Sequence, residues 1–352
     1  MKKTKNNKGN IINGIIIAIT VIILLCYMFF VDGIDNIIAV FQNAKLLWLV
    51  AGALCMVLYW AIEAAIVHCA TKCFPQKLPY RQVFQTTMIG QFFNCVTPSA
   101  TGGQPMQIYH MNKIGFGAGY ATSSLLVRFI VYQLGLTVYS IVVLCFQYKE
   151  FASQIKGFKY LIIFGFILNT AVAIGLLLIG FTKNFAKKAM HGICRLLAKL
   201  HLLKNLEKKL EIVDREVDSF HDGFRIIRKN ITRLCIMFIM TILQLSFFFF
   251  VPVTIAFSFG VPSIPIFTMM AAASCVQMAS SFIPLPGAAG GAELSFFMLF
   301  GMFFPAAKLS SAVLVWRLFT FYFPILCGMF FSRNLFGKRK EILASTSQSI
   351  QD

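Results

Sequence analysis

Charged side chains are scarce in this chain, and acidic ones are the scarcest. Only 13% of the 352 residues are charged, whereas soluble domains carry about 25%. The 13 Asp and Glu are outnumbered by 32 Lys and Arg, and 58% of the residues are hydrophobic. With a mean hydropathy of +0.75, the composition leaves no room for a large soluble domain. It predicts a polytopic integral membrane protein.

Recognisable catalytic and metal-binding patterns are also missing from the sequence. Cys69 and Cys73 lie one helical turn apart beside His68, but no second Cys/His pair follows at zinc spacing. Most of the ten cysteines lie inside apolar runs, as small buried hydrophobic residues do. The glycines of residues 114–120 lack the preceding strand and the lysine of a phosphate-binding loop. We therefore expect no cofactor and no metal.

The formal net charge of +19 comes from basic residues that lie almost wholly between the apolar runs. Nucleic acid is the alternative partner for so basic a chain. Basic flanks of membrane segments, however, mark the cytoplasmic side and attract anionic lipid head groups. We therefore expect the membrane itself as the partner and no direct contact with nucleic acid.

A six-residue motif occurs twice, and each copy interrupts a long apolar run. The sequence PSATGG at residues 98–103 returns as PGAAGG at residues 286–291. Proline and glycine break helices, and non-helical backbone survives inside a bilayer only where protein or a water-filled cavity shields it. The chain is thus predicted to contain two related halves around one internal site, with a chance match as the alternative. The residues singled out here are Pro98, Gly102, Gly103, Gln104, Pro286, Gly290, Gly291 and Glu293.

Charge and length predict how the chain threads the bilayer. The arms around each motif have about 15 residues and span about 22 Å, less than the hydrocarbon core of about 30 Å. If both basic termini are cytoplasmic, the two resulting hairpins enter from opposite faces. We therefore predict an all-α polytopic fold of about six transmembrane helices plus two re-entrant helical hairpins in an inverted repeat, a plan common among transporters. The predicted transmembrane helices are residues 11–31, 47–69, 120–148, 160–181, 234–257 and 311–331.

The stretch between the halves is rich in charge and shows Leu and Ile at helical spacing. We interpret it as cytoplasmic amphipathic helices that lie on the head groups, with a solvated linker as the equal alternative. The predicted segments are a cytoplasmic basic N-terminus (1–10), a first membrane half (11–181), this linker (182–233), a second membrane half (234–332) and a cytoplasmic tail (333–352).

Ionisable residues inside the apolar runs are functional candidates, because an Arg, Lys or Asp at a helix centre costs about 2.5–3.5 kcal/mol. Arg128 follows the first motif, and Arg317 the second, at spacings that differ by one residue. Their distances from the predicted helix starts place them near opposite faces. Each guanidinium can hold a lipid phosphate there, and snorkelling to the nearer interface is the alternative.

Two acidic residues also fall inside apolar segments. Glu63 and Glu293 can pair with an arginine, take up a proton or contact a cationic head group. We favour a pair between Glu293 and Arg317. The first motif is followed by Gln104 instead of an acid, so the sequence does not support a symmetric proton relay. The helix that leaves each glycine pair directs N–H groups and a positive dipole end outward, which suits a phosphate.

Both motif regions, together with the arginine downstream of each, resemble the lysylphosphatidylglycerol synthase transmembrane (flippase-like) family. The residues that carry the resemblance are 97–105 and 284–293, within a similarity that extends over about residues 10–335. In full-length members the membrane domain flips an aminoacylated lipid, and a soluble domain transfers lysine from charged tRNA to phosphatidylglycerol. Because this chain ends at Asp352, the resemblance implies the membrane domain alone, and we expect no lysyl transfer by this polypeptide.

The resemblance implies a lipid translocase in the bacterial plasma membrane, with a phosphate-bearing phospholipid, lysylated or not, as substrate. It also implies a part in resistance to antimicrobial peptides. The alternative is a membrane-embedded lipid transferase, or a partner subunit of a separate synthase chain, in lysylphosphatidylglycerol synthesis. Gln104 and Pro105 replace the acid and the basic residue that some members carry there, which leaves the head group open. The sequence does not fix the oligomeric state.

Overall fold

The computed structural model describes residues 44–154, 158–199, 206–281, 285–333 and 335. Within these ranges the regular secondary structure is helical, and the only β-type pairing is one isolated bridge. The predicted first transmembrane helix at residues 11–31, the basic N-terminus and most of the predicted tail lie outside the described residues.

The described helices follow the apolar runs and the two motifs. They are α1 (Leu46–Thr71), α2 (Tyr80–Val96), α3 (Gly103–Lys113), α4 (Ala118–Gln154), α5 (Phe158–Phe181), α6 (Lys183–Lys199), α7 (Leu206–Lys229), α8 (Ile231–Ser258), α9 (Ile266–Ser280), α10 (Gly291–Phe300), α11 (Ala306–Arg317) and α12 (Phe323–Ser332). A π-helical turn, Leu318–Tyr322, joins α11 to α12 without a break.

Four helical stretches in the described chain are long and apolar enough to cross a membrane. They are α1, the Ala118–Val143 part of α4, α8, and the run Ala306–Ser332 that joins α11 to α12. Part of α5 forms a fifth candidate with α6, although the two are bent by 104°. The described part of the chain is therefore all-helical, and the chain is a multi-pass membrane protein, as predicted. The number of about six transmembrane helices and the entry of the hairpins from opposite faces stay predictions.

Prolines and one asparagine decide where several helices begin. Pro79, Pro265 and Pro305 directly precede α2, α9 and α11. A proline loses little there, because the first N–H groups of a helix have no acceptor within it. Asn230 caps α8, since its side chain accepts a hydrogen bond from the Arg233 amide.

Both motifs break helices, and the two breaks have similar backbone conformations. Ser99 and Gly287 stand at the same motif position and have φ of 50° and 58°. Ala100 and Ala288, one position later, have φ of 53° and 54°. Residues other than glycine rarely adopt this left-handed backbone conformation. Its appearance at matching positions therefore supports a true repeat. Each break joins two short helices that pack on each other, α2 on α3 and α9 on α10.

Helices of the two predicted halves pack on one another, so the halves do not simply lie side by side. Helix α1 packs along α8, where the rings of Trp48 and Phe257 stack at 4.3 Å. Helix α12 returns to the first half and packs on α2, and the rings of Phe84 and Phe331 meet edge to face. In the second hairpin, α9 packs on α4 and α5 of the first half, so each hairpin is held by elements of the other half.

The segment between the halves does form helices, and part of it packs on protein. The Ser123 hydroxyl of α4 donates a hydrogen bond to the Phe220 carbonyl oxygen of α7, and Phe220, Phe224 and Ile227 are buried. Helix α6 packs on α7, where Lys187 Nζ lies 2.9 Å from an Asp218 carboxylate oxygen. This docking on α4 distinguishes α7 from a solvated linker, and the predicted contact with head groups stays a prediction.

Candidate functional site

The two helix breaks meet where the halves pack together. Pro98 and Pro286 form an isolated antiparallel bridge, so corresponding points of the two motifs touch. A cavity of about 320 Å³ lies against both breaks and is lined by residues of both halves. We refer to it as the polar cavity. From the breaks themselves its lining includes Ser99, Ala100, Leu285, Gly287 and Ala288.

Uncharged amides make up much of the polar lining of this cavity. Amide side chains both donate and accept hydrogen bonds, so they can meet a polar ligand without fixing its charge. Four helices supply them. These residues are Gln91 and Asn94 of α2, Gln104 and Gln107 of α3, Gln133 of α4 and Gln277 of α9.

A buried ion pair from the first half borders the polar cavity. Arg128 Nη2 lies 2.8 Å from Glu63 Oε1. The other carboxylate oxygen of Glu63 accepts hydrogen bonds from the side-chain amides of Gln91 at 2.7 Å and Gln244 at 3.4 Å. Glu63 is only 2% exposed. A carboxylate this deep is tolerated because a cation and two amides satisfy it.

The second half contributes a matching pair that is attached to its break. Arg317 Nε donates to Glu293 Oε1 at 2.6 Å, and Arg317 Nη1 donates to the Gly287 carbonyl oxygen at 2.8 Å. The structure thus contains the pair between Glu293 and Arg317 that the sequence favours. Through these two bonds Arg317 fixes the break and the first turn of α10 to the end of α11.

Both arginines line the same cavity, so the expectation that they lie near opposite faces is wrong. Helices α4 and α11 begin at Ala118 and Ala306, earlier than the predicted starts at residues 120 and 311. Counted from these starts at 1.5 Å per residue, Arg128 lies about 15 Å into α4 and Arg317 about 16 Å into α11. The two distances are similar, and each is about half the thickness of a hydrocarbon core, which is about 30 Å.

Several buried polar atoms beside the cavity have no hydrogen-bond partner in the described part of the chain. They include Arg128 Nε, Arg317 Nη2 and Glu293 Oε2. Buried donors are normally satisfied, and guanidinium N–H groups suit the several oxygens of a phosphate. Unpartnered donors from both halves thus belong to two arginines that line one cavity.

The predicted site residues divide into those that line the cavity and those that shape the breaks. Glu63, Gln104, Arg128 and Arg317 line it, and Glu293 reaches it through Arg317. The prolines and the paired glycines of both motifs are outside the lining. Gly103 allows a close approach, since a Cβ there would lie 1.9 Å from Asn94 Oδ1. The remaining break residues are Pro98, Gly102, Pro286, Gly290 and Gly291.

The lining amides are the functional candidates that sequence reasoning missed. Gln91 and Asn94 lie one turn apart near the end of α2, and Gln277 lies near the end of α9. In both hairpins an amide therefore lies in the helix that precedes the break. An amide in the helix before each motif is the signal that would have found them.

The matches to known proteins extend over nearly the whole described region. A family model, described as the lysylphosphatidylglycerol synthase TM region, matches residues 14–328. A curated relative from Archaeoglobus fulgidus, described as a UPF0104 membrane protein, is 24% identical over 296 residues, which are 82% of this chain and 87% of the relative. No solved structure matches the chain significantly. The matched range contains both breaks and both Arg–Glu pairs.

Proposed function

Because the chain belongs to the lysylphosphatidylglycerol synthase transmembrane family, we propose that it is a lipid translocase. It moves a phosphate-bearing phospholipid, lysylated or not, between the leaflets of a bacterial plasma membrane. The observation that carries the proposal is the polar cavity, in which arginines from both halves lie beside the two helix breaks.

The size of the cavity suits a head group and not a whole lipid. Its volume of about 320 Å³ lies at the lower end of the range for small-molecule sites. The acyl chains would remain in the bilayer, while the amides and guanidinium groups replace water around the head group. The cost of bringing a phosphate to mid-membrane falls because these groups are already in place.

The two carboxylates keep the empty site close to neutral. An arriving phosphate takes over guanidinium donors that now face Glu293 or remain unpartnered, such as Arg317 Nη2. A lysylated head group would also bring ammonium groups, for which Glu63 and Glu293 are partners. Export of such a lipid would make the outer leaflet less negative, which is a physical basis for resistance to cationic antimicrobial peptides.

The proposal is tested with the purified full chain in vesicles. Fluorescent phosphatidylglycerol or lysylphosphatidylglycerol is loaded into both leaflets, and the fraction open to a membrane-impermeant quencher is followed over time. We expect the protein to speed exchange between leaflets and to leave the lipid chemically unchanged. A rate equal to that of empty vesicles contradicts the proposal. Lysine-bearing lipid formed from charged tRNA would point to the transferase instead.

Conservative variants test the phosphate site without leaving a carboxylate unpaired. In the double variant Arg128→Lys, Arg317→Lys both charges stay, but the fork that binds a phosphate through two N–H groups is lost. We expect exchange at least about tenfold slower, since a charge-assisted hydrogen bond contributes about 1.5–3 kcal/mol. Arg233→Lys is the matched control, because Arg233 donates to the Cys69 carbonyl oxygen outside the cavity. If lipid exchange with the double variant were as fast as with the control, the two arginines would have no role in the proposed mechanism.

A further inference from the structure

A second cavity, of about 510 Å³, lies between α4, α5, α7 and α8. Its lining is almost wholly apolar, and we call it the apolar groove. Helix α4 separates it from the polar cavity, because Arg128 and Tyr132 line the polar cavity while Val127, Val131 and Leu134 line the groove. The lipid path proposed above does not use this groove.

The groove runs from a basic helix end along a membrane-spanning helix. Arg228 is in the last turn of α7, and α8 begins at Ile231. Cys235 and Ile239, one and two turns further along α8, continue the lining. A charged group thus lies at the end where α8 starts its span, and apolar walls extend from it. A phospholipid has the same arrangement of phosphate and acyl chain.

Among the described residues that line the groove, Arg228 alone is charged, and it is available to an anion. Its guanidinium carbon lies 5.0 Å from the centre of the Phe181 ring, and no described carboxylate lies within ion-pair distance. The carboxylates of Asp214 and Asp218 face the basic residues of α6 instead. Lys229 adds a second positive charge to the same helix end.

We propose that the apolar groove binds one acyl chain of an anionic phospholipid from the adjoining leaflet, with the phosphate of this lipid against Arg228. Charge complementarity favours an anionic lipid over a zwitterionic one, because the basic helix end attracts a net negative head group. The apolar walls favour an acyl chain over a soluble anion. The bound lipid would fill the space between α4 and α8 and so link the α6–α7 pair to the membrane.

Photo-crosslinking tests the proposal directly. The full chain is placed in phosphatidylcholine vesicles that contain phosphatidylglycerol with a photoreactive group in its acyl chain. After illumination, we expect lipid on the peptide that contains residues 234–239. Phosphatidylcholine with the same photoreactive chain should label this peptide about fivefold less, a ratio equivalent to about 1 kcal/mol. Equal labelling by the two lipids would overturn the proposal.

Three variants test separately how the charge of Arg228 and the apolar walls of the groove contribute to lipid binding. Arg228→Gln should lower labelling by phosphatidylglycerol to the phosphatidylcholine level. Lys229→Gln, which removes the same charge just outside the lining, should retain most of it. Ile239→Trp fills the groove from a side chain that is 68% exposed, so it should reduce labelling by both lipids without disturbing the core. Equal losses in the two glutamine variants, or unchanged labelling in Ile239→Trp, would contradict the proposed site.

The alternative occupant of the apolar groove is the predicted first transmembrane helix of the chain itself. A bifunctional thiol reagent tests this in the same vesicles, because Cys235 is exposed in the groove and Cys26 lies in that predicted helix. We expect no bridge between the two cysteines. A bridge formed in high yield would assign the groove to the N-terminal helix and overturn the lipid proposal, whereas the translocase proposal would stand.

Discussion

Glu63 and Glu293 each pair with an arginine at the same cavity, but their surroundings differ. Glu63 comes from α1, its side chain is 3% exposed, and two amides bind it in addition to Arg128. Glu293 follows its own break, its side chain is 24% exposed, and one of its oxygens has no partner among the described residues. The first pair therefore belongs to the core, whereas the second can exchange partners. We therefore expect the first pair to contribute mainly to stability and the second to ligand exchange.

Removal of one partner from each pair tests this difference most strongly. Arg128→Ala leaves the Glu63 carboxylate buried without a cation, and we expect a loss of about 3–5 kcal/mol in the free energy of unfolding. Arg317→Ala should cost about 1–2 kcal/mol less, because the Glu293 side chain is less deeply buried than that of Glu63. Denaturant unfolding of the purified protein in detergent measures both. Equal losses would show that the two pairs have the same structural role.

The second break is also the more crowded one, and this too can be tested. A Cβ at Gly287 would lie 2.2 Å from Phe321 Cε2, whereas the first break carries Ser99 at the same motif position. Gly287→Ser should therefore destabilise the protein by about 1–3 kcal/mol through overpacking. Ser99→Gly, the reverse exchange, should change the free energy of unfolding by about 1 kcal/mol or less, because relief of the left-handed conformation is offset by chain entropy. Thermal unfolding of both variants gives the comparison.

The sequence predicted these breaks well because proline and glycine act locally. It also identified both arginines, since charge inside an apolar run is visible without a structure. It placed the starts of their helices too late, at residues 120 and 311 instead of Ala118 and Ala306. In the structure Lys308 lies inside α11, and its ammonium group donates to the Phe259 carbonyl oxygen. A lysine satisfied by a distant carbonyl is a tertiary feature that hydropathy cannot show.

Two further features of the site depend on tertiary contacts, so they could not be predicted from the sequence. The bridge between Pro98 and Pro286 joins points that are far apart in the chain, and only the packed fold brings them together. The partner of Arg128 is Glu63 on α1, although the repeat suggests an acid two residues after the first motif, where Pro105 stands. Both halves therefore contain an Arg–Glu pair, but the acid comes from a different position relative to the motif.

If Glu293 is the partner that exchanges, its neutral analogue should bind lipid more tightly. Glu293→Gln frees Arg317 for a phosphate, and we expect about tenfold higher affinity for phosphatidylglycerol, equivalent to about 1.4 kcal/mol. The measurement is the rise in melting temperature of the protein with added lipid. Glu63→Gln is the matched control and should leave this rise nearly unchanged, because two amides still hold the residue. A larger rise in the control would reverse the assignment of the two pairs.

The ion pairs between α6 and α7 provide an exposed counterpart to both buried pairs, and their effect should be the smallest. The pKa of Asp218 is lowered by hydrogen bonding to Lys187 and then to Lys183. A carboxylate with a lowered pKa stabilises the fold fully above its ordinary pKa of about 3.9, and this contribution is lost as the pH falls through the lowered value. Between pH 7 and pH 5 we therefore expect no change in hydrogen exchange of α6. Faster exchange should appear only below about pH 4.

Asp218→Asn removes the titrating group and should abolish this acid response of α6. Because the pair is exposed, the variant should unfold at nearly the same denaturant concentration as the parent at neutral pH. Hydrogen exchange of α1, which carries Glu63, should not change in the same variant. If α6 exchanged faster already at pH 5, in the parent and in Asp218→Asn alike, another group would control the α6–α7 contact. Asp218 could then no longer serve as the exposed counterpart of the two buried ion pairs.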